Sequence, residues 1–168
     1  MAVRSELLLL CSVMIALLLV EGAEGGRRPR AGLAGQLLRS HNAARAAVGL
    51  PPLAWDARLA RYAESYAGRR RRDCALAHSG GPYGENIFWG SGARWRPAQA
   101  AAAWVGERRW YHYRSNSCSA PECGHYTQIV WRSTRRLGCA MVSCSGRKGV
   151  LVVCEYDPPG NYIGERPY

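Results

Sequence analysis

Four side chains, His78, Glu85, Glu107 and His125, have the types and surroundings from which a polar site is built. His125 sits in Gly124-His125-Tyr126-Thr127-Gln128-Ile129-Val130-Trp131, one imidazole in an apolar and aromatic run, with Cys118 and Cys123 before it and Cys139 after. At helical spacing His125, Gln128 and Ile129 share a face. A buried imidazole without a partner is costly, so something polar must meet it. Glu107 is the first candidate: its helical neighbours are Ala103, Trp104, Trp110 and Tyr111, and a carboxylate on such a face needs a cation, a proton or donors. His78 and Glu85 flank a stretch with Gly80, Gly81, Pro82 and Gly84, which is free enough to fold both side chains to one point. Two imidazoles and two carboxylates form a nitrogen and oxygen set that zinc or another divalent ion accepts, with room for water. The same residues also satisfy one another as two His–Glu pairs without any metal. His41 fits helix-face packing and His112 a surface loop. There is no HExxH, GxSxG or glycine-rich phosphate loop to name a reaction.

Several elements must position these groups. Helical spacing predicts a helix from Leu33 to Val48, closed by Gly49 and barred by Pro51-Pro52. Asp56 is the N-cap of a second, over 57–67, with Gly68 after it. Glycine-rich loops surround a short strand at 85–89. Pro97 opens a third helix over 97–110, and His125–Trp131 forms a fourth. The period then changes: 137–144 and 150–156 read as strands joined by a five-residue loop, Ser145 to Gly149. The expected class is α+β, helices flanking a small antiparallel sheet.

The first segment stands outside this fold. Arg4 precedes an apolar run from Leu7 to Val20, followed by small residues, which reads as a secretory signal peptide over residues 1–25 and a disordered lead-in over 26–32. Of seven cysteines, Cys11 leaves with the signal, and the remaining six argue for three disulfides in an oxidising compartment. Six cysteines allow fifteen pairings, and spacing does not choose among them. From Arg27 onward 22 Arg and Lys face nine Asp and Glu, about +13, and only Lys148 is a lysine. Such charge favours anionic surfaces, while export argues against nucleic acid. The run Arg69-Arg70-Arg71-Arg72 reads as a solvated loop, with a processing site or a binding patch as the alternatives.

These stretches together resemble the CAP superfamily (cysteine-rich secretory proteins, antigen 5, pathogenesis-related class one). Gly124–Trp131 is similar to its first signature and Cys154-Glu155-Tyr156-Asp157-Pro158-Pro159-Gly160-Asn161-Tyr162 to its second. His41-Asn42-x-x-Arg45, Leu53-x-Trp55-Asp56, Cys74-x-Leu76-x-His78-Ser79 and Gly84-Glu85-Asn86 agree in order and spacing. Within the superfamily the chain looks most like the basic plant pathogenesis-related class-one proteins, over 33–168. The resemblance implies a three-layer α–β–α sandwich and the pairings Cys74–Cys144, Cys118–Cys123 and Cys139–Cys154. It assigns the same four cleft residues, His78, Glu85, Glu107 and His125, as a divalent-metal site, for example for zinc, with no cofactor required. It implies sterol capture by an aromatic loop, here Trp110, Tyr111 and Tyr113, whose rings have polar edges suited to a flat ligand. It also implies release of a C-terminal peptide, 158–168, by cleavage between Asp157 and Pro158.

The function expected is that of a secreted plant defence protein, extracellular in the apoplast. It would act as a monomer that binds sterol or another lipid and approaches anionic microbial or cell-wall surfaces. The alternatives are a precursor of the 158–168 peptide and a metal-dependent hydrolase using Glu85 or Glu107 as base.

Overall fold

The central strand explains the architecture. Residues Val150 to Tyr156 are apolar apart from one glutamate, and every one of them is buried. A strand buried along its whole length needs neighbours on both edges and layers on both faces. The computed structural model describes residues 32–168; the expected signal peptide and all of the lead-in but Gly32 lie outside the described residues.

The chain runs α1 (Leu33–Ala46), β1 (Ala54–Trp55), α2 (Ala57–Arg70), β2 (Gly84–Gly90) and α3 (Pro97–Gly106). A 3-10 turn (Glu107–Trp110) leads to a small hairpin, β3 (Tyr111–His112) and β4 (Ser117–Cys118), and then to α4 (Gly124–Ile129). Two long strands close the fold: β5 (Arg136–Ser143) and, after a 3-10 turn at Ser145–Arg147, β6 (Val150–Asp157). The main sheet has the order β1-β5-β6-β2. It is antiparallel except at its edge, where β1 pairs parallel with β5.

Side chains alternate across the sheet and separate two cores. On one face Leu37, Ala101, Trp104, Tyr126 and Ile129 pack on Leu137, Val152, Cys154 and Tyr156. On the other, Ala63, Tyr66 and Ala67 of α2 pack on Ile87, Ala140, Leu151 and Val153. The result is the expected α–β–α sandwich. Gly138 lets α2 lie close to the sheet, because a Cβ there would sit 2.2 Å from the backbone nitrogen of Ala60.

The disulfides are Cys74–Cys144, Cys118–Cys123 and Cys139–Cys154, the set implied by the resemblance. The last joins directly opposed residues of β5 and β6.

Several boundaries differ from expectation. α1 ends two residues early, because Gly49 turns the chain at φ +73°. α2 runs on through Gly68 to Arg70, so half of the arginine run is helical rather than loop. Its start is as read: Asp56 accepts from the backbone nitrogens of Arg58 and Leu59. α3 stops at Gly106, and Glu107 begins a tighter turn instead of lying mid-helix. His112 lies on β3, and is exposed as expected of a surface loop.

Candidate functional site

The helix signature places His125 at the start of α4, where its ring is largely buried and stacks on Trp104 at 6.0 Å. Its Nδ1 lies 2.7 Å from Glu107 Oε1. The second oxygen of Glu107 accepts the backbone N–H of Tyr126 at 3.0 Å. The turn that ends α3 therefore aims a carboxylate at the first turn of α4, where free N–H groups welcome an anion. Burial pulls the imidazolium of His125 down, but the hydrogen bond and charge of Glu107, with the charge of Glu122 added, leave its pKa above the ordinary 6.5.

His78 and Glu85 form a second pair, Nδ1 to Oε1 at 2.7 Å. Glu85 also accepts the backbone N–H of Ser79 at 2.9 Å, which fixes the glycine-rich loop to β2. Glu85 is nearly buried, whereas His78 is 65% exposed. Both line a cleft of about 210 Å³ with Gly81, Tyr83, Gln128 and Asn161. Gln128 belongs to α4, so the cleft adjoins the helix that carries His125. The predicted four thus form two His–Glu pairs. Asn86, beside Glu85, links them by donating to the His125 carbonyl at 3.0 Å.

Among the described residues, those whose ligand atoms converge closely enough for a divalent cation lie around His125. Glu107, Glu122 and His125 each bring one ligand atom within 4.8 Å of the others, and His78 and Glu85 are not in that group. An imidazole with two carboxylates is a donor set that zinc accepts. Glu122 escaped the sequence reading although it stands three residues before His125; its oxygen is 3.7 Å from Nδ1.

A buried polar network holds the site, and sequence reasoning saw little of it. His41 is fully buried: with Nδ1–H donating to the Leu37 carbonyl at 2.8 Å, Nε2 accepts the Tyr156 hydroxyl at 2.8 Å. Asn86 donates to that same hydroxyl at 2.9 Å. Burial, with the charge of Arg45, lowers His41 to about 4, so it is neutral. Arg45, also buried, donates to the carbonyls of Pro51, Ile129, Trp131 and Thr134. It thereby caps the end of α4 with a cation where carbonyls are unpaired. The spacing His41 to Arg45, one turn apart on an alanine-rich helix, was the available signal.

Glu155 is the group least expected. It is fully buried on β6, directly opposite Glu85 of β2. Among the described residues neither of its oxygens makes a well-formed hydrogen bond, and nor does Glu85 Oε2. Burial, then the adjacent Glu85 charge, pushes its carboxyl up to about 9, so Glu155 carries a proton at neutral pH.

The aromatic loop runs from the end of the 3-10 turn, at Trp110, into the β3–β4 hairpin. Trp110 lies under the Arg109 guanidinium at 4.0 Å. Tyr111 faces inward toward Tyr126, and its hydroxyl donates to Asn116 Oδ1 at 2.8 Å. Tyr113 is exposed and stacks on Tyr168 at 4.8 Å. The C-terminal tail therefore covers the hairpin. Asn116 donates to the Glu165 carbonyl at 3.0 Å, and the Pro167 carbonyl accepts from the Arg132 backbone at 2.6 Å. Asn161 bridges Thr127 and Gly124. Between hairpin, α4 and tail lies a cleft of about 300 Å³ lined by Tyr111, Asn116, Thr127, Trp131, Asn161 and Tyr162, among others. Asp157 ends β6 in an ion pair with Arg136, and Pro158 is exposed beyond it.

The fold belongs to a defined class. Residues 38–156 match the cysteine-rich secretory protein family, CAP, and the chain belongs to that family. Its relatives place it with the plant pathogenesis-related class-one proteins. It is 63% identical over 134 residues to pathogenesis-related protein PR-1 of Medicago truncatula, covering 79% of this chain and 78% of that one. It is 49% identical over 167 residues to pathogenesis-related protein PRMS of Zea mays, covering 98% and 97%. Among solved structures, that of NaASP2 with Zn2+ superposes with a TM-score of 0.68 at 28% identity, covering 84% of this chain and 88% of that one.

Proposed function

We propose that this pathogenesis-related protein is secreted and acts in defence by capturing a sterol or a comparably flat lipid in the cleft between hairpin and tail. The observation that carries the reading is the lining of that cleft: rings of Tyr111, Trp131 and Tyr162 with Asn116, Thr127 and Asn161 at the edge. Its volume, about 300 Å³, is at the lower end of the range of ligand pockets. Next to Tyr162, Ile163 is wholly exposed, as expected of a surface that meets apolar ligand. Three disulfides support an oxidising, extracellular setting. The positive charge aids approach of the monomer to anionic envelopes. Labelled sterol should bind the disulfide-intact protein saturably, and replacing Tyr162 and Ile163 with serine should weaken it. Binding no better than to a denatured control refutes the reading.

A second reading concerns His125. Glu107, Glu122 and His125 would hold a divalent cation such as zinc, which when bound acts as a Lewis acid. Glu107 orients the imidazole, and Trp104 shields it from water on one side. A hydrolase reading requires zinc-dependent turnover that His125→Ala abolishes; bound zinc without turnover sinks it. Release of 158–168 is a third use of the same chain, supported by the exposure of Pro158 just after Asp157. Mass spectrometry of extracellular fluid should find the fragment.

A further inference from the structure

The arginine run has no part in either cleft, and the fold adds to it. Arg69 and Arg70 finish α2, and Arg71 and Arg72 continue into the turn that follows. The β5–β6 connection, more than 70 residues later, is brought against the same turn: the Ser145 N–H donates to the Arg71 carbonyl at 2.9 Å. Arg71 Nε donates to the Ser143 carbonyl at 2.9 Å, and Cys74–Cys144 bolts the two segments together. Arg147 and Lys148 stand on that connection, both exposed. Six cations are thus gathered at one end of the sheet. The acid within the group, Asp73, is committed to Arg70 at 3.1 Å.

Three of these cations are free. Among the described residues the side chains of Arg72, Arg147 and Lys148 make no hydrogen bond or ion pair, so nothing in the fold neutralises them. Arg147 is also held at φ +57°, a left-handed conformation that a side chain rarely adopts. The strain is retained at a tip where glycine would be unstrained, which is the pattern of a functional position.

We infer that residues 69–73 and 145–148 form a docking surface for an acidic polysaccharide bearing carboxylate groups, such as a polyuronate. Guanidinium groups bind carboxylates through two parallel N–H donors, and five of the six cations are arginine. None of these nine residues is apolar or aromatic. A membrane surface would be met by apolar side chains that insert below the headgroups, and single-stranded nucleic acid by rings on which bases stack. A repeating carboxylate polymer needs neither. The surface stands apart from the lipid cleft and does not depend on it.

The test measures binding of the disulfide-intact protein to polygalacturonate, to neutral galactan and to phosphatidylserine vesicles at two salt concentrations. A triple variant, Arg72→Gln with Arg147→Gln and Lys148→Gln, removes the free cations without touching a packed side chain. A control triple, Arg39→Gln with Arg94→Gln and Arg114→Gln, removes the same charge elsewhere. Salt-sensitive binding to polygalacturonate, absent for galactan and weakened about ten-fold or more by the first triple but little by the second, is the expected result. Equal loss in both triples would show net charge alone at work and overturns the inference. So does vesicle binding lost in the first triple while polygalacturonate binding is absent or unchanged.

Discussion

Replacing Glu155 with glutamine should stabilise the protein at neutral pH, although the residue is fully buried. Its carboxyl is raised from 4.5 to about 9 by burial and by Glu85, so the folded state keeps a proton that the unfolded chain gives up. The sign follows from linkage: with the folded pKa above the unfolded one, this group's contribution is fully favourable below pH 4.5 and is lost as pH climbs to about 9. Each pH unit in that window removes about 1.4 kcal/mol, so roughly 3 kcal/mol has gone by pH 7. Glutamine has no proton to lose, and its amide N–H is a donor that the carboxylate of Glu85, directly opposite on β2, can accept. Its other amide atoms leave a constant cost of about 1–3 kcal/mol if unpartnered, which shifts the whole curve without tilting it. The slope is therefore the diagnostic. Urea unfolding of both proteins at a series of pH values, disulfides intact, should show the variant gaining on the parent steadily from pH 5 to pH 9. Parallel curves would mean that Glu155 is ionised in the fold, and the argument for the shared buried charge would fail.

Other substitutions test other parts of the structure. His125→Ala leaves Glu107 with only the Tyr126 N–H and should cost about 1–3 kcal/mol by denaturant unfolding. Because the pKa of His125 is raised, its contribution is complete below 6.5 and fades as pH rises through the folded value, and the variant should lack that slope. Removing Cys139–Cys154, which closes 15 residues, should cost about 3 kcal/mol on thermal or urea unfolding. Tyr156→Phe strips a partner from both His41 and Asn86 and should cost about 1–3 kcal/mol, with no gain in chain disorder elsewhere. Gly138→Ala forces a methyl against the backbone of α2 and should cost about 1–3 kcal/mol or more.

The two His–Glu pairs were legible because each is built from residues that apolar or glycine-rich surroundings leave conspicuous. Glu107 amid Trp104 and Tyr111 had to find a donor, and His125 was the nearest in kind. The same logic did not reach Glu155, since its meaning depends on strand register: only the pairing of β2 with β6 sets it opposite Glu85. Arg45 stands out in sequence only as part of His41-Asn42-x-x-Arg45, and its burial depends on carbonyls more than 80 residues away, which no local pattern encodes. β1 is two residues long and too short to leave a period, and the β3–β4 hairpin is equally brief. The start of the arginine run is helical although Gly68 reads in sequence as a helix stop. A helix ends at glycine only where the chain turns left-handed there, and α2 passes through it.

The tail changes how the functional readings relate. Asn161, Tyr162, Glu165 and Pro167 form one wall of the cleft in which a lipid would lie. Gly160 donates to Gln128 at 3.0 Å and its Cα packs against Trp131, so the same segment closes the cleft beside His78 and Glu85. The sheet does not need the tail: β6 ends at Asp157, and every strand pairing lies before Pro158. Cutting after Asp157 therefore leaves every strand pairing in place while removing a wall of both clefts, together with Tyr168, which packs on the core. On the proposed readings, peptide release and ligand capture would draw on one set of contacts, so that a single folded molecule would do one at the expense of the other.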